Sequence, residues 1–202
     1  MVVLRTLRRA RSLRSRPGIG AFLLLLAGVF PLAVAAEQPV LFDESGYRLD
    51  GYRAPVPEAV PGARTLDLAQ VRALIGQGWI PVDVMGARVF GIGADGTWIL
   101  PERHRSIPGA RWLPVVGWGR LEPWQSDYLD ASLERITGGD RKAGLILFCK
   151  SDCWLSWNAA RRIAGRGYVN LGWFPGGVDA WADAGLPLVE IRPEPHRGSW
   201  SR

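Results

Sequence analysis

Hydrophobic positions along the chain alternate between helical and strand-like spacing. After Asp67, the residues Leu68, Val71, Leu74 and Ile75 fall on one helical face, and Gln70 stands three residues on to close a capping box. Gly76 and Gly78 end that helix. Ile80-Pro81-Val82-Asp83-Val84 then reads as a short buried strand ending at a carboxylate, and residues 86–96 as a loop. Tyr128, Leu129, Leu133 and Ile136 predict a helix over 127–137, capped by Ser126 and closed by Gly138-Gly139. Gly144 to Phe148 is a continuous apolar run suited to a strand buried on both faces of a parallel sheet. A third helix is predicted over 157–166, a strand over 169–173, and a last helix over 178–184 stopped by Gly185. Strands alternating with helices predict an α/β domain over residues 65–190, with a central parallel sheet flanked by helices.

The flanking segments lack this periodicity. Over 37–64, Pro55, Pro57 and Pro61 forbid a continuous helix and predict an extended N-terminal arm laid over the domain. Residues 191–202 form a polar C-terminal tail. Residues 1–36 carry six arginines and no acid, then the apolar segment Ala21 to Phe30, then Ala33-Val34-Ala35-Ala36. That order predicts a signal peptide cleaved after Ala35 or Ala36, and hence a periplasmic protein. Gly28 and Pro31 break the apolar segment, which is short for a bilayer, so no stable membrane span is expected after processing.

Removing this leader changes the charge balance. It takes six of the 25 Lys and Arg residues, leaving 19 against 19 Asp and Glu, so the mature chain is formally neutral. The basic isoelectric point belongs to the leader, and nothing here points to nucleic acid or an anionic membrane as a partner. The roughly 166 remaining residues are enough for one domain with its own core.

Both cysteines lie in Cys149-Lys150-Ser151-Asp152-Cys153-Trp154, directly after the buried strand. Ligands of parallel α/β sheets gather at the carboxyl ends of strands. A cysteine there meets backbone N–H groups and the positive end of a helix, which favour thiolate. Lys150 reinforces that field and Asp152 opposes it. In an oxidising compartment the pair is a disulfide, two thiols, or a couple that alternates. A cross-link over so few residues gains little chain entropy, which weakens a purely stabilising role. The reactive reading makes Cys149 the nucleophile and Cys153 its resolving partner, with Lys150, Ser151, Asp152 and Trp154 as substrate contacts.

The other chemical groups weigh less. His104 and His196 lack the spacing of zinc ligands relative to the cysteines, so neither a metal nor a cofactor is expected. His104, among Glu102, Arg103 and Arg105, reads as a solvated loop residue, and Asp83 as a structural acceptor that holds loops together. Of the ten tryptophans, Trp154, Trp157, Trp173 and Trp181 flank the cysteines. Trp157 and Trp181 suit the core and Trp154 the site, while together the four suggest a pocket wall or an apolar docking face.

Several segments occur in an ordered series: Val82-Asp83-Val84, Ser106-Ile107-Pro108-Gly109-Ala110, the Cys149 loop, Gly167-Tyr168-Val169-Asn170, Pro175 to Trp181, and Ala184-Gly185-Leu186-Pro187. In order and spacing this series resembles a rhodanese-like domain. The resemblance implies a sulfurtransferase whose loop cysteine, here Cys149, becomes a persulfide and passes its sulfur on. The family's loop carries a glycine, an arginine and a serine after the cysteine, whereas the first arginine here is Arg161 and the loop is one residue longer. Tyr52-Arg53-Ala54-Pro55-Val56-Pro57, the cysteine pair followed by Trp154, and Ser156-Trp157-Asn158-Ala159-Ala160 resemble a narrower subgroup. Its members are exported rhodanese-like proteins with a cysteine-pair-plus-tryptophan (CXXCW) motif, associated with PQQ-dependent catabolism. The resemblance implies a periplasmic helper of quinoprotein alcohol oxidation, with no residue assigned to PQQ itself. Three readings follow: a sulfur carrier working with a small sulfur donor or thiol acceptor; an inactive binding module for a periplasmic PQQ-dependent dehydrogenase or cytochrome; or a thiol-disulfide exchange protein.

Overall fold

The computed structural model describes residues 40–196, so the predicted leader lies outside the described residues. In chain order the elements are β1 (Arg64–Thr65), α1 (Leu68–Gly76), β2 (Ile80–Asp83), β3 (Gly91–Ile92), β4 (Trp98–Ile99), β5 (His104–Ser106) and β6 (Arg111–Trp112). These are followed by α2 (Pro123–Thr137), β7 (Leu145–Phe148), α3 (Trp154–Ala164), β8 (Leu171–Phe174), α4 (Gly177–Asp183) and β9 (Val189–Ile191). Five strands form a parallel sheet in the order β1-β8-β7-β2-β6. The predicted α/β class, a central parallel sheet flanked by helices, is the one observed. β3 pairs antiparallel with β4, and β5 with β9.

The central strand shows why the apolar run is continuous. All four residues of β7 are buried, and alternate side chains enter different cores. Leu145 and Leu147 pack with Val82, Trp173, Leu129 and Ile163, while Ile146 and Phe148 pack with Leu66, Val71, Phe174 and Val178. Asp83 of β2, Phe148 of β7 and Phe174 of β8 share one register row, so these strands end together at one edge of the sheet.

Element boundaries follow local chemistry. The capping box of α1 forms as predicted, Gln70 N–H donating to Asp67 Oδ1 at 2.8 Å and Asp67 N–H to Gln70 Oε1 at 2.9 Å. α2 begins a turn before Ser126, because Pro123 presets the helical φ at N1 and Gln125 takes the Glu122 N–H at 2.9 Å. Ser126 instead accepts from Arg166. α3 starts at Trp154 rather than Trp157, with Cys153 as the cap residue, and it ends at Ala164. β8 begins at Leu171, leaving Val169 exposed.

The two flanking segments are tied to this frame. The predicted extended arm first folds back on itself, Leu49 N–H donating to Leu41 O at 2.8 Å and Asp43 N–H to Tyr47 O at 3.0 Å, and then runs over α3. The Asn158 side chain accepts the Arg48 N–H at 3.0 Å and donates back to its carbonyl at 2.9 Å. Indole N–H groups of Trp154 and Trp157 donate to the arm carbonyls of Pro55 and Ala59, each at 3.0 Å. The tail starts in β9 and stays packed through His196, with Glu194 and His196 both buried. Among the described residues no helix is long and apolar enough to cross a membrane.

Candidate functional site

Cys149 leaves β7 at the row that closes the sheet, and the turn that follows is held on three sides. Val178 N–H at the start of α4 donates to Cys149 O at 2.9 Å. Gly177 makes this approach possible. Its φ is +54°, and a Cβ there would lie 2.2 Å from Cys149 O. Ser151 is bonded on both sides, its N–H to Asp179 Oδ2 at 3.1 Å and its hydroxyl to Gly176 O at 2.9 Å. Asp152 takes φ +49°, a left-handed conformation that asparagine and aspartate tolerate best among residues with side chains. The arm closes the third side: Ala54 N–H donates to Asp152 O at 3.0 Å and Trp154 N–H to Tyr52 O at 2.9 Å. Between them Arg53 faces Cys153 as an antiparallel bridge.

No disulfide joins Cys149 to Cys153 in the structure, and both are nearly sealed from solvent, Cys149 at 0% and Cys153 at 3% exposure. The Cys149 thiol donates toward Cys153 O at 3.4 Å and Lys150 O at 3.6 Å. Burial, then the neighbouring Cys153, pushes the Cys149 thiol well above its ordinary range. Cys153 moves the other way, down to about 7, because it accepts a hydrogen bond from Cys149 and another from the Leu155 N–H, with the Arg53 charge adding a smaller effect. The turn and the helix end thus favour thiolate on one sulfur of the two, and that sulfur is the second.

The remaining predicted contacts sort by what holds them. Lys150 and Asp152 are exposed, while Ser151 is half-buried and committed to α4. Trp154, read from the sequence as a substrate contact, is buried under the arm. Its ring meets Phe42 edge-on at 5.3 Å, and the Arg48 guanidinium lies 4.9 Å above it. Trp157, Trp173 and Trp181 are buried as well, so these four indoles form no docking face; each spends its N–H on an internal acceptor.

A second cluster sits at the end of β2. The fully buried Asp83 carboxylate accepts the Met85 N–H at 2.8 Å and the Ser106 hydroxyl at 2.5 Å, as a loop-holding acceptor should. Its Oδ2 also bonds His104 Nε2 at 2.7 Å. His104 is therefore a strand residue rather than a solvated loop residue. Its ring packs on Trp112 with centroids 4.1 Å apart, and its side chain is 15% exposed. The missed signal was the period of two that puts His104 and Ser106 on one face of β5. Cavities of about 280 and 470 Å³ are both lined by His104 and Trp112, and neither cysteine lines them.

The fold and site together define an α/β thiol protein with a strapped cysteine pair at the carboxyl edge of a parallel sheet. No protein-family model and no curated protein sequence matches the chain. Among solved structures it is similar to a thiosulfate sulfurtransferase from Pseudomonas aeruginosa, at 17% identity and a TM-score of 0.43 over 69% of this chain and 22% of that one. A polysulfide-sulfur transferase homodimer from Wolinella succinogenes aligns at 16% identity and a TM-score of 0.41, over 63% of this chain and 79% of that one. A human single-domain sulfurtransferase aligns at 18% identity and a TM-score of 0.37, over 60% of this chain and 97% of that one. The chain spans about a fifth of the length of the Pseudomonas protein.

Proposed function

We propose that the protein is an exported, rhodanese-like thiol protein that carries sulfane sulfur on Cys149 and Cys153. The observation that carries this reading is the pair itself: two buried cysteines, four residues apart, at the end of a central parallel strand. Acidity favours Cys153 for the first attack, since its thiol is brought down to about 7 while burial pushes that of Cys149 up. This reverses the order implied by the loop resemblance. The Cys153 thiolate attacks the outer sulfur of a donor such as thiosulfate; an S–S bond forms, the donor's S–S bond breaks, and sulfite leaves with the electron pair. Attack by Cys149 on the outer persulfide sulfur, with the Cys149 proton passing to that terminal sulfur, then moves it to Cys149 and returns Cys153 to thiolate. Attack on the inner sulfur instead closes the Cys149–Cys153 disulfide and releases hydrosulfide.

The leader-like residues 1–36 and the cysteine-pair-plus-tryptophan motif support a periplasmic role beside PQQ-dependent alcohol oxidation. A periplasmic quinoprotein dehydrogenase or its cytochrome is then the protein partner. The deciding experiment is peptide mass spectrometry after incubation with thiosulfate. Sulfur should add to Cys153 in Cys149→Ser and slowly or not at all in Cys153→Ser. Sulfur appearing only on Cys149 would restore the opposite order. A disulfide that no donor opens, with no sulfur added to either single variant, would end the sulfur-carrier reading.

A further inference from the structure

The positive charge near the sulfurs does not come from their own helix. Arg161 of α3 donates to Gly46 O at 3.1 Å and lies over the rings of Tyr47 and Trp157. Arg162 is buried and donates to Val116 O at 2.8 Å and Gly119 O at 2.7 Å. Both are committed to the arm and to the loop before α2. Asp152 of the loop, Asp179 of α4, which accepts the Ser151 N–H, and the Lys150 and Cys153 carbonyls, which face the Cys149 thiol, work against an anion. Cations near this turn are Lys150 of the loop, and Arg53 and Arg48 of the arm, with Arg48 placed over the Trp154 ring.

Arg53 alone of these meets the turn by both backbone and side chain. Its backbone bridges Cys153 between the Ala54–Asp152 and Tyr52–Trp154 hydrogen bonds, and its guanidinium donates to Ser151 O at 2.6 Å. The same residue therefore fastens the arm and places a guanidinium on the turn that ends at Cys153. We propose that Arg53 is the positioning cation of the cysteine pair, so that closing the arm and holding Cys153 as thiolate are a single coupled event. This deepens the sulfur-carrier reading and rests on it only for what the thiolate is used for. By reciprocity, whatever lifts the arm also favours protonation of Cys153, and acid loosens the arm.

The test is the rate of Cys153 alkylation by neutral iodoacetamide across pH, mapped by peptide mass spectrometry in the full chain. Open and closed thiolate are in equilibrium, so the midpoint of the profile reports the charge in the closed state and the alkaline plateau reports arm opening. Arg53→Gln should raise the midpoint by about half a unit, a roughly twofold loss of thiolate at pH 7. Arg53→Lys should keep the wild-type midpoint while raising the plateau, since charge remains and the bond to Ser151 O weakens. A plateau that rises in Arg53→Gln with no change of midpoint would reduce Arg53 to a clamp and overturn the proposal. So would an Arg53→Lys midpoint matching that of Arg53→Gln. Alkylation involves no sulfur transfer, so failure of the thiosulfate experiment leaves this result readable, and the reverse holds too.

Discussion

The cysteine turn and the His104 cleft lie at the same edge of the same sheet, one beyond β7 and the other beyond β2, yet they are built in opposite ways. The cysteine turn has reactive atoms and no room: both cysteines are buried, and the arm is bonded across the turn at Asp152 and Trp154. The cleft has cavities of about 280 and 470 Å³ beside an imidazole oriented by a buried carboxylate, and no thiol or hydroxyl among its lining residues. The difference shows that location at a strand's carboxyl end does not by itself make an open site. What covers that end decides it, and here the cover over β7 comes from residues about a hundred positions upstream.

That contrast can be broken from either side. The largest effect is expected from Asp83→Ala, which leaves the Met85 amide, the Ser106 hydroxyl and His104 without their shared acceptor. It should cost about 3 kcal/mol or more, measured as a fall in denaturation midpoint. Asn158→Ala acts on the other region by removing the bonds to Arg48 and Gly117. Its cost should be about 2 kcal/mol, accompanied by faster cysteine alkylation as the arm loosens. If the two regions are independent, the double variant should be additive to within about 0.5 kcal/mol; strong coupling would show that cleft and turn behave as one site.

Smaller changes sharpen the comparison. Trp154→Phe keeps an aromatic ring under the arm but deletes the N–H donated to Pro55 O, for about 1 kcal/mol. Alkylation should again speed up; an unchanged rate would mean that the indole packs without fastening. The mildest perturbation is pH alone. Cys153, brought down to about 7, should gain reactivity as pH rises through neutrality and level off above it, whereas Cys149, pushed upward by burial, should stay protonated and slow over that range. Two cysteines titrating together in peptide-resolved alkylation would refute this division of the proton.

Periodic segments made most of the frame legible. α1 with its Asp67-Gln70 box and β7 with its unbroken apolar run could be read because each carries its signal within a few residues. Two-residue strands such as β1, β3 and β6 carry no such signal, since alternation cannot be seen over two positions. The start of α2 was missed because Pro123 and Gln125 outcompete the hydroxyl of Ser126. At the site, the cysteine pair and its place after a buried strand were legible; which sulfur keeps the proton was not. That depends on backbone pairing between Tyr52-Arg53-Ala54 and the turn, a contact across a hundred residues that leaves no periodic trace in the sequence.

The strap formed by Tyr52 and Ala54 also governs time. A sulfur beneath it reacts only during the fraction of time that the strap is open, and an opening cost of about 3 kcal/mol leaves that fraction near one part in 150. A small oxidant colliding at random finds the thiolate covered on nearly every encounter. A macromolecule that binds the lifted arm supplies the opening energy itself and meets an uncovered sulfur throughout its stay. The strap is therefore a filter on residence: it spares the sulfur from brief encounters and yields it to lasting ones.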